Sequence, residues 1–191
     1  TDQFTATLLA VMAMIGMIPV LLTVLKLKSE EQAHRTEHVL ARAVSRREIL
    51  GSYISIALLL AIVMQVVSVL GLWSAATAVM DEPFNLSLTL KGGLSYVPVM
   101  WIMVGLAALL IGLAPRLTGL IWIYLGYTFF IIYFGGLLQV PEWLGKLTPF
   151  GYVPDVPLEK MGFPLTLALI LVAFILTGLG LKGYEKRDIY G

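Results

Sequence analysis

The strongest constraint on this chain is where its charges are missing. Five stretches, residues 3–25, 49–80, 92–115, 117–141 and 161–181, contain no Asp, Glu, Lys or Arg. Each is long enough to cross a bilayer, since roughly 20 helical residues span about 30 Å of hydrocarbon. Backbone in lipid has no water to satisfy its N–H and C=O groups, so helices must carry these stretches. The pattern predicts an all-α, polytopic transmembrane bundle forming one domain over residues 1–191. Spans are expected at about 4–25, 50–75, 94–114, 117–138 and 163–181.

Composition agrees. Charged residues make up 13% of the chain and the mean hydropathy is +0.90, whereas soluble domains carry about 25% charged residues. A water-filled surroundings cannot account for that balance. The net charge of +1 speaks against a nucleic-acid partner. The absence of cysteine excludes disulfides, thiolate metal sites and cysteine nucleophiles.

Basic residues are placed unevenly. The first connection holds Lys26, Lys28, Arg35, Arg42, Arg46 and Arg47, the third holds Arg116, and the tail holds Lys182, Lys186 and Arg187. The intervening connections hold only Lys91, Lys146 and Lys160. By the positive-inside rule the C-terminus is cytoplasmic, and with five spans the N-terminus lies outside. The chain starts at Thr1, and its first apolar run is too long for a signal-peptide core and lacks a basic segment before it. That start reads as a cut or processed end, with a helix expected upstream.

Inside the spans the strongly polar groups are amides and hydroxyls. Gln65, Ser68, Thr118 and Thr128 are the candidates for a polar translocation path, although hydrogen bonding between helices is the commoner use of such residues. No G-x-x-x-x-G-K-[ST] phosphate loop is present, so energy for active transport would have to come from a partner. Pro19 and Pro98 are expected to kink their spans. Trp73, Trp101, Trp122 and Trp143 read as interfacial anchors.

The charged segment before the second span is the most informative. Ser29 with Gln32 forms a capping box, Glu30 and Glu31 suit a first helical turn, and Glu31 can pair with Arg35. A short amphipathic helix over residues 29–45 is therefore expected, with Ala33, Thr36 and Leu40 on its apolar stripe. Ser45 with Glu48 forms a second capping box that starts the next span near Arg46. Within this segment His34, Glu37 and His38 also read H-x-x-E-H, a zinc-peptidase pattern. Glu30-Glu31 with Arg35 resembles the paired-glutamate motif of intramembrane prenyl-protein proteases, a motif that belongs inside an apolar helix rather than among charges. No third zinc ligand stands out beyond Glu48, Asp81 or Glu82.

The loop around Asp81 and Glu82 reads as a simple connector. The later loop, residues 139–162, alternates Pro141, Pro149, Pro154 and Pro157 with Trp143, Leu144, Leu147 and Phe150, which suits one or two helical turns at an interface. Glu142, Asp155 and Glu159 there read as solvated charges.

Four ordered blocks, EEQAHRTEHVLARAVSR, PVMWIMVGLAALLIGLAPRL, VPEWLGKLTPFGYVPDVP and GYEKRDI, together resemble the permeases of second-class ATP-binding-cassette exporters. The likeness is to the tetronasin-type and polyketide-antibiotic efflux permeases of bacteria. The resemblance implies a multi-pass permease of the bacterial inner membrane, made of two six-helix halves, with this chain as the last five spans of the second half. It implies that residues 29–45 are a coupling helix on a cytoplasmic ATP-binding-cassette ATPase, with Glu31, Arg35, Glu37, Leu40 and Arg46 as its contacts. It further implies an outer helical hairpin in the proline-rich loop. The partners are that ATPase, the other six-helix half and the lipid bilayer. ATP and Mg²⁺ would be held on the partner, with no cofactor, metal or catalytic residue in this chain, and the cargo would be an amphipathic compound such as a drug or antibiotic. A membrane-embedded zinc metallopeptidase using His34, Glu37 and His38 is the alternative, and a membrane scaffold without a transport role is a third.

Overall fold

A computed structural model describes residues 2–33, 45–80, 85–135, 137–155 and 161–186. Among the described residues seven α-helices follow one another: α1 (Asp2–Gln32), α2 (Arg46–Val79), α3 (Leu86–Leu94), α4 (Val97–Leu113), α5 (Leu120–Phe134), α6 (Glu142–Gly145) and α7 (Phe163–Lys186). Two 3₁₀ turns, Pro115–Leu117 and Pro149–Tyr152, flank α5 and the loop after it. The described residues contain no strand.

Burial follows the helical period. On α1, Leu9, Ala13, Met17, Val20, Val24 and Leu27 are buried at intervals of three and four residues, while Ile15, Ile18 and Leu22 face outward. On α2, Leu50, Ile54, Ala57, Ala61, Gln65 and Val69 are buried, and Ile56, Leu59, Val63, Val67 and Leu70 are exposed. A folded surface this rich in large aliphatic side chains is stable only in an apolar surroundings. α4 is buried on nearly every side and forms the axis of the bundle.

The closest packing joins α4 to α7. A Cβ on Gly105 would stand 2.9 Å from the Ala173 carbonyl oxygen, and one on Gly112 would overlap the Gly180 carbonyl. Small residues therefore let the two backbones touch, the arrangement that lipid-embedded helices use in place of a hydrophobic driving force. Gly105 meets Ala173 and Gly112 meets Gly180, so α4 and α7 run parallel. α2 runs against the direction of α3 and α4: Gly93 lies against Val69, and Trp101 Nε1 donates to the Leu58 carbonyl at 3.1 Å.

Several expectations are corrected. α1 does not end near Leu25 and restart at Ser29; it continues to Gln32, and the Ala33 N–H donates to the Ser29 carbonyl at 3.1 Å. Nothing in Lys26–Gln32 breaks a helix, and Leu27 is fully buried. The Ser45–Glu48 capping box is present: Ser45 Oγ accepts from the Glu48 N–H at 3.2 Å, and the Ser45 N–H donates to Glu48 Oε2 at 2.8 Å. The supposed connector before the third span contains α3. Its Asn85 cap accepts from the Leu88 N–H at 3.2 Å, and Thr89, Gly92 and Gly93 are buried. Pro98 sits in the first turn of α4, where a missing N–H costs nothing, directly after the break between α3 and α4 within the Leu86–Leu113 stretch.

Of the five expected spans, four are matched by long apolar helices among the described residues. Four helical stretches, Phe4–Gln32, Arg46–Val79, Leu86–Leu113 and Phe163–Lys186, are long and apolar enough to cross a membrane. The fifth, α5, has 15 residues, about 22 Å of helix, and is held short by its flanks. Pro115 imposes a 3₁₀ turn before it. After it come Gly135 and then Gln139 at φ 51°.

Candidate functional site

The helix directions bring Lys28, Arg46, Arg116 and Lys186 to one end of the bundle. Lys28 Nζ on α1 donates to Thr118 Oγ1 at 2.7 Å, and Thr118 in turn donates to the Pro115 carbonyl at 3.1 Å. Tyr184 on α7 donates its hydroxyl proton to Glu31 Oε1 at 2.5 Å. Tyr184 is itself 2% exposed, wedged by the close approach of Gly112 to its own backbone. The ends of α1, α4 and α7 are thus tied together beside the start of α2, and this end carries Lys28, Arg46, Arg116 and Lys186.

Of the residues assigned to coupling, Glu31 lies in this junction and Arg46 opens α2. Arg35, Glu37 and Leu40 lie outside the described residues, as do His34 and His38 and most of the 29–45 segment. Among the described residues no group of three or more His, Asp or Glu could hold a metal.

The four residues assigned to a polar path fall on α2, on α5 and in the turn before it. Thr118 belongs to the basic end. Thr128 is buried on α5 and donates to the Tyr124 carbonyl of its own helix at 2.9 Å. Ser68 is half-buried on α2. Gln65, 1% exposed, sits where α1, α2, α3 and α4 meet. Its Nε2 lies 3.2 Å from Met100 Sδ, a weak acceptor, and its Oε1 has no hydrogen-bond partner. An unmet amide oxygen at that depth costs about 1–3 kcal/mol, which sets Gln65 apart from the other three.

At the opposite end the proline-rich segment folds back along α5. Tyr124 and Tyr127 donate to the carbonyls of Leu147 and Leu144 at 2.7 and 2.8 Å, and Thr148 Oγ1 accepts from the Phe150 N–H at 3.1 Å. Beneath the segment lies a cavity of about 470 Å³.

Sequence reasoning missed Tyr184, the Lys28–Thr118 bond and this cavity. The small residues Gly105, Ala108 and Gly112, spaced to lie on one helix face, were the available signal for the α4–α7 contact.

Residues 1–185 match the family model of the multidrug efflux system permease Rv1217c, C-terminal domain. Over 181 residues the chain is 31% identical to the multidrug efflux system permease protein Rv1217c of Mycobacterium tuberculosis (strain ATCC 25618 / H37Rv). The match covers 92% of this chain and 33% of that relative, so the chain spans about a third of the relative's length.

Proposed function

The chain belongs to the multidrug efflux system permease family of the Rv1217c C-terminal domain, and on that premise we propose that it works as the membrane permease of an ATP-driven exporter. A separate cytoplasmic ATP-binding-cassette ATPase binds ATP and Mg²⁺ and hydrolyses the nucleotide. The spans, together with the remainder of the permease, alternate access for an amphipathic drug or antibiotic, of which tetronasin-like polyketides are one class. The chain performs no covalent chemistry. In this reading α5 and its flanking turns complete a fifth passage, the basic end is cytoplasmic by the positive-inside rule, and the membrane is the bacterial inner membrane.

The observation that carries the coupling assignment is the junction of Lys28 with Thr118 and Glu31 with Tyr184. A push on the 29–45 segment, through Glu31, Arg35, Glu37, Leu40 or Arg46, enters α1 at the residue that holds α7, and α7 is packed backbone to backbone on the central α4. Rigid elements in direct contact move together. Cargo moving through the bundle would find the unpaired Gln65 oxygen as its hydrogen-bonding group, with Ser68, Thr118 and Thr128 as the other polar positions.

The test is ATP-driven efflux from proteoliposomes containing the full permease and its ATPase. Glu31→Lys and Glu37→Lys should abolish drug-stimulated ATPase activity and efflux while the protein remains in the membrane. Unchanged efflux and stimulation in both variants would remove the coupling assignment. Stoichiometric zinc on a permease that binds no ATPase would replace the whole reading with the metallopeptidase.

A further inference from the structure

The cavity beneath the proline-rich segment lies between the first turns of α1, the end of α5 and α6 with its following turn. It exists because the walls lack bulk where the elements meet. Ala6 and Ala10 present methyl groups from α1, and Gly135, Gly145 and Gly151 present bare backbone. A side chain on Gly151 would collide with the Gly145 carbonyl, so the loop is folded tightly upon itself and cannot collapse into the space. Tyr96 and Phe150, ring centroids 6.1 Å apart, are both almost fully buried beside it. At about 470 Å³ the space suits a drug-sized molecule, for which pockets run about 300–1,000 Å³.

The charged groups of the lining are Glu142 and Asp155 against Lys146. All three are exposed, at the rim, while the alanines and Phe150 are buried in the floor. A ligand seated here would meet an apolar, partly aromatic floor and a rim with one more negative than positive charge. An anion would face two carboxylates for one ammonium. A neutral lipid chain would make no use of the rim.

We propose that this cavity binds amphipathic organic cations, with the apolar body on Ala6, Ala10 and Phe150 and the cationic group held by Glu142 and Asp155. The proposal rests on the efflux reading and names a substrate class for it.

Binding is measured by fluorescence anisotropy on the complete permease in nanodiscs without nucleotide, with the signal of empty nanodiscs subtracted. Rhodamine 6G serves as the cationic probe and Nile red as the neutral one. The double variant Glu142→Gln/Asp155→Asn should weaken rhodamine 6G about tenfold, each partly solvated charge contact contributing modestly, and move Nile red less than about twofold. Ala10→Trp, which fills the floor, should weaken rhodamine 6G whether or not the rim is intact. Rhodamine 6G binding that is undetectable in the wild type, unchanged in the double variant, or lost in step with Nile red overturns the proposal. ATP-driven efflux is followed in parallel. Efflux by the wild type together with unchanged rhodamine 6G binding in the double variant removes this site alone, whereas a wild type that exports nothing with its ATPase present removes the efflux reading itself.

Discussion

Gly178 and Gly180 lie two residues apart on α7, and replacing each by alanine should have opposite effects. At Gly180 a Cβ would stand 2.5 Å from the Ala108 carbonyl carbon and 2.7 Å from the Leu109 nitrogen, about 1 Å inside ordinary contact. Both obstacles are backbone atoms of α4 and cannot rotate away. Gly180→Ala must therefore part α4 and α7, and a gap of 0.5–1 Å already forfeits about a quarter to a half of the dispersion energy of the facing atoms. Overpacking of this kind costs about 1–3 kcal/mol, of which alanine's better helix propensity returns up to about 1 kcal/mol. At Gly178 nothing lies within 4 Å of the added carbon, so only the propensity gain remains. The expected difference between the two variants is about 2 kcal/mol, or roughly 30-fold in the folding equilibrium. Denaturant titration of the purified permease, compared with the unmodified protein, reads it directly. If the two variants shift stability together, or if Gly180→Ala is neutral, the α4–α7 contact does not hold the bundle as argued.

Tyr184→Phe deletes only the hydroxyl bonded to Glu31. It should cost about 1–2 kcal/mol and lower the ATPase activity that a drug stimulates more than it lowers the amount of folded protein, both measured on the same preparation. Thr118→Val removes the oxygen that receives the Lys28 ammonium and should cost about 1 kcal/mol in the denaturant titration; a variant as stable as the parent would show that this bond contributes nothing. Single cysteines, placed in a permease freed of any other cysteine, report topology, and this chain contributes none of its own. In intact cells a membrane-impermeant maleimide should label Trp143→Cys, whose site is 61% exposed, and spare Lys186→Cys, and the reverse pattern would invert the orientation.

Local chemistry made much of this readable along the chain. Lipid burial is a property of each helix alone, so uncharged runs announced α1, α2, α4 and α7 before any packing was known. The Ser45 cap was equally legible, because its partner Glu48 is three residues away. Reading failed where a neighbour overrides the local signal. α3, with Lys91 and paired glycines, looks like a connector until Gly92 and Gly93 are seen buried, Gly93 against Val69 of α2. Ser29, a good cap in isolation, is absorbed into α1 because the helix beyond Leu25 is anchored through Leu27.

Sequence by itself determined that this chain forms membrane-spanning helices, which residues of each helix are apolar, and which connections are basic, since all three follow from residue type and spacing. Tertiary structure alone decided that Lys28 meets Thr118 ninety residues later and that Glu31 meets Tyr184 at a separation of 153. It also decided that α5 is too short to resemble its neighbours and that small residues on α1, α5 and the proline-rich segment leave a space between them. The physical reason is that lipid selects helices one at a time, without regard to their partners, whereas contacts and cavities arise from the shapes that two or more helices present to each other.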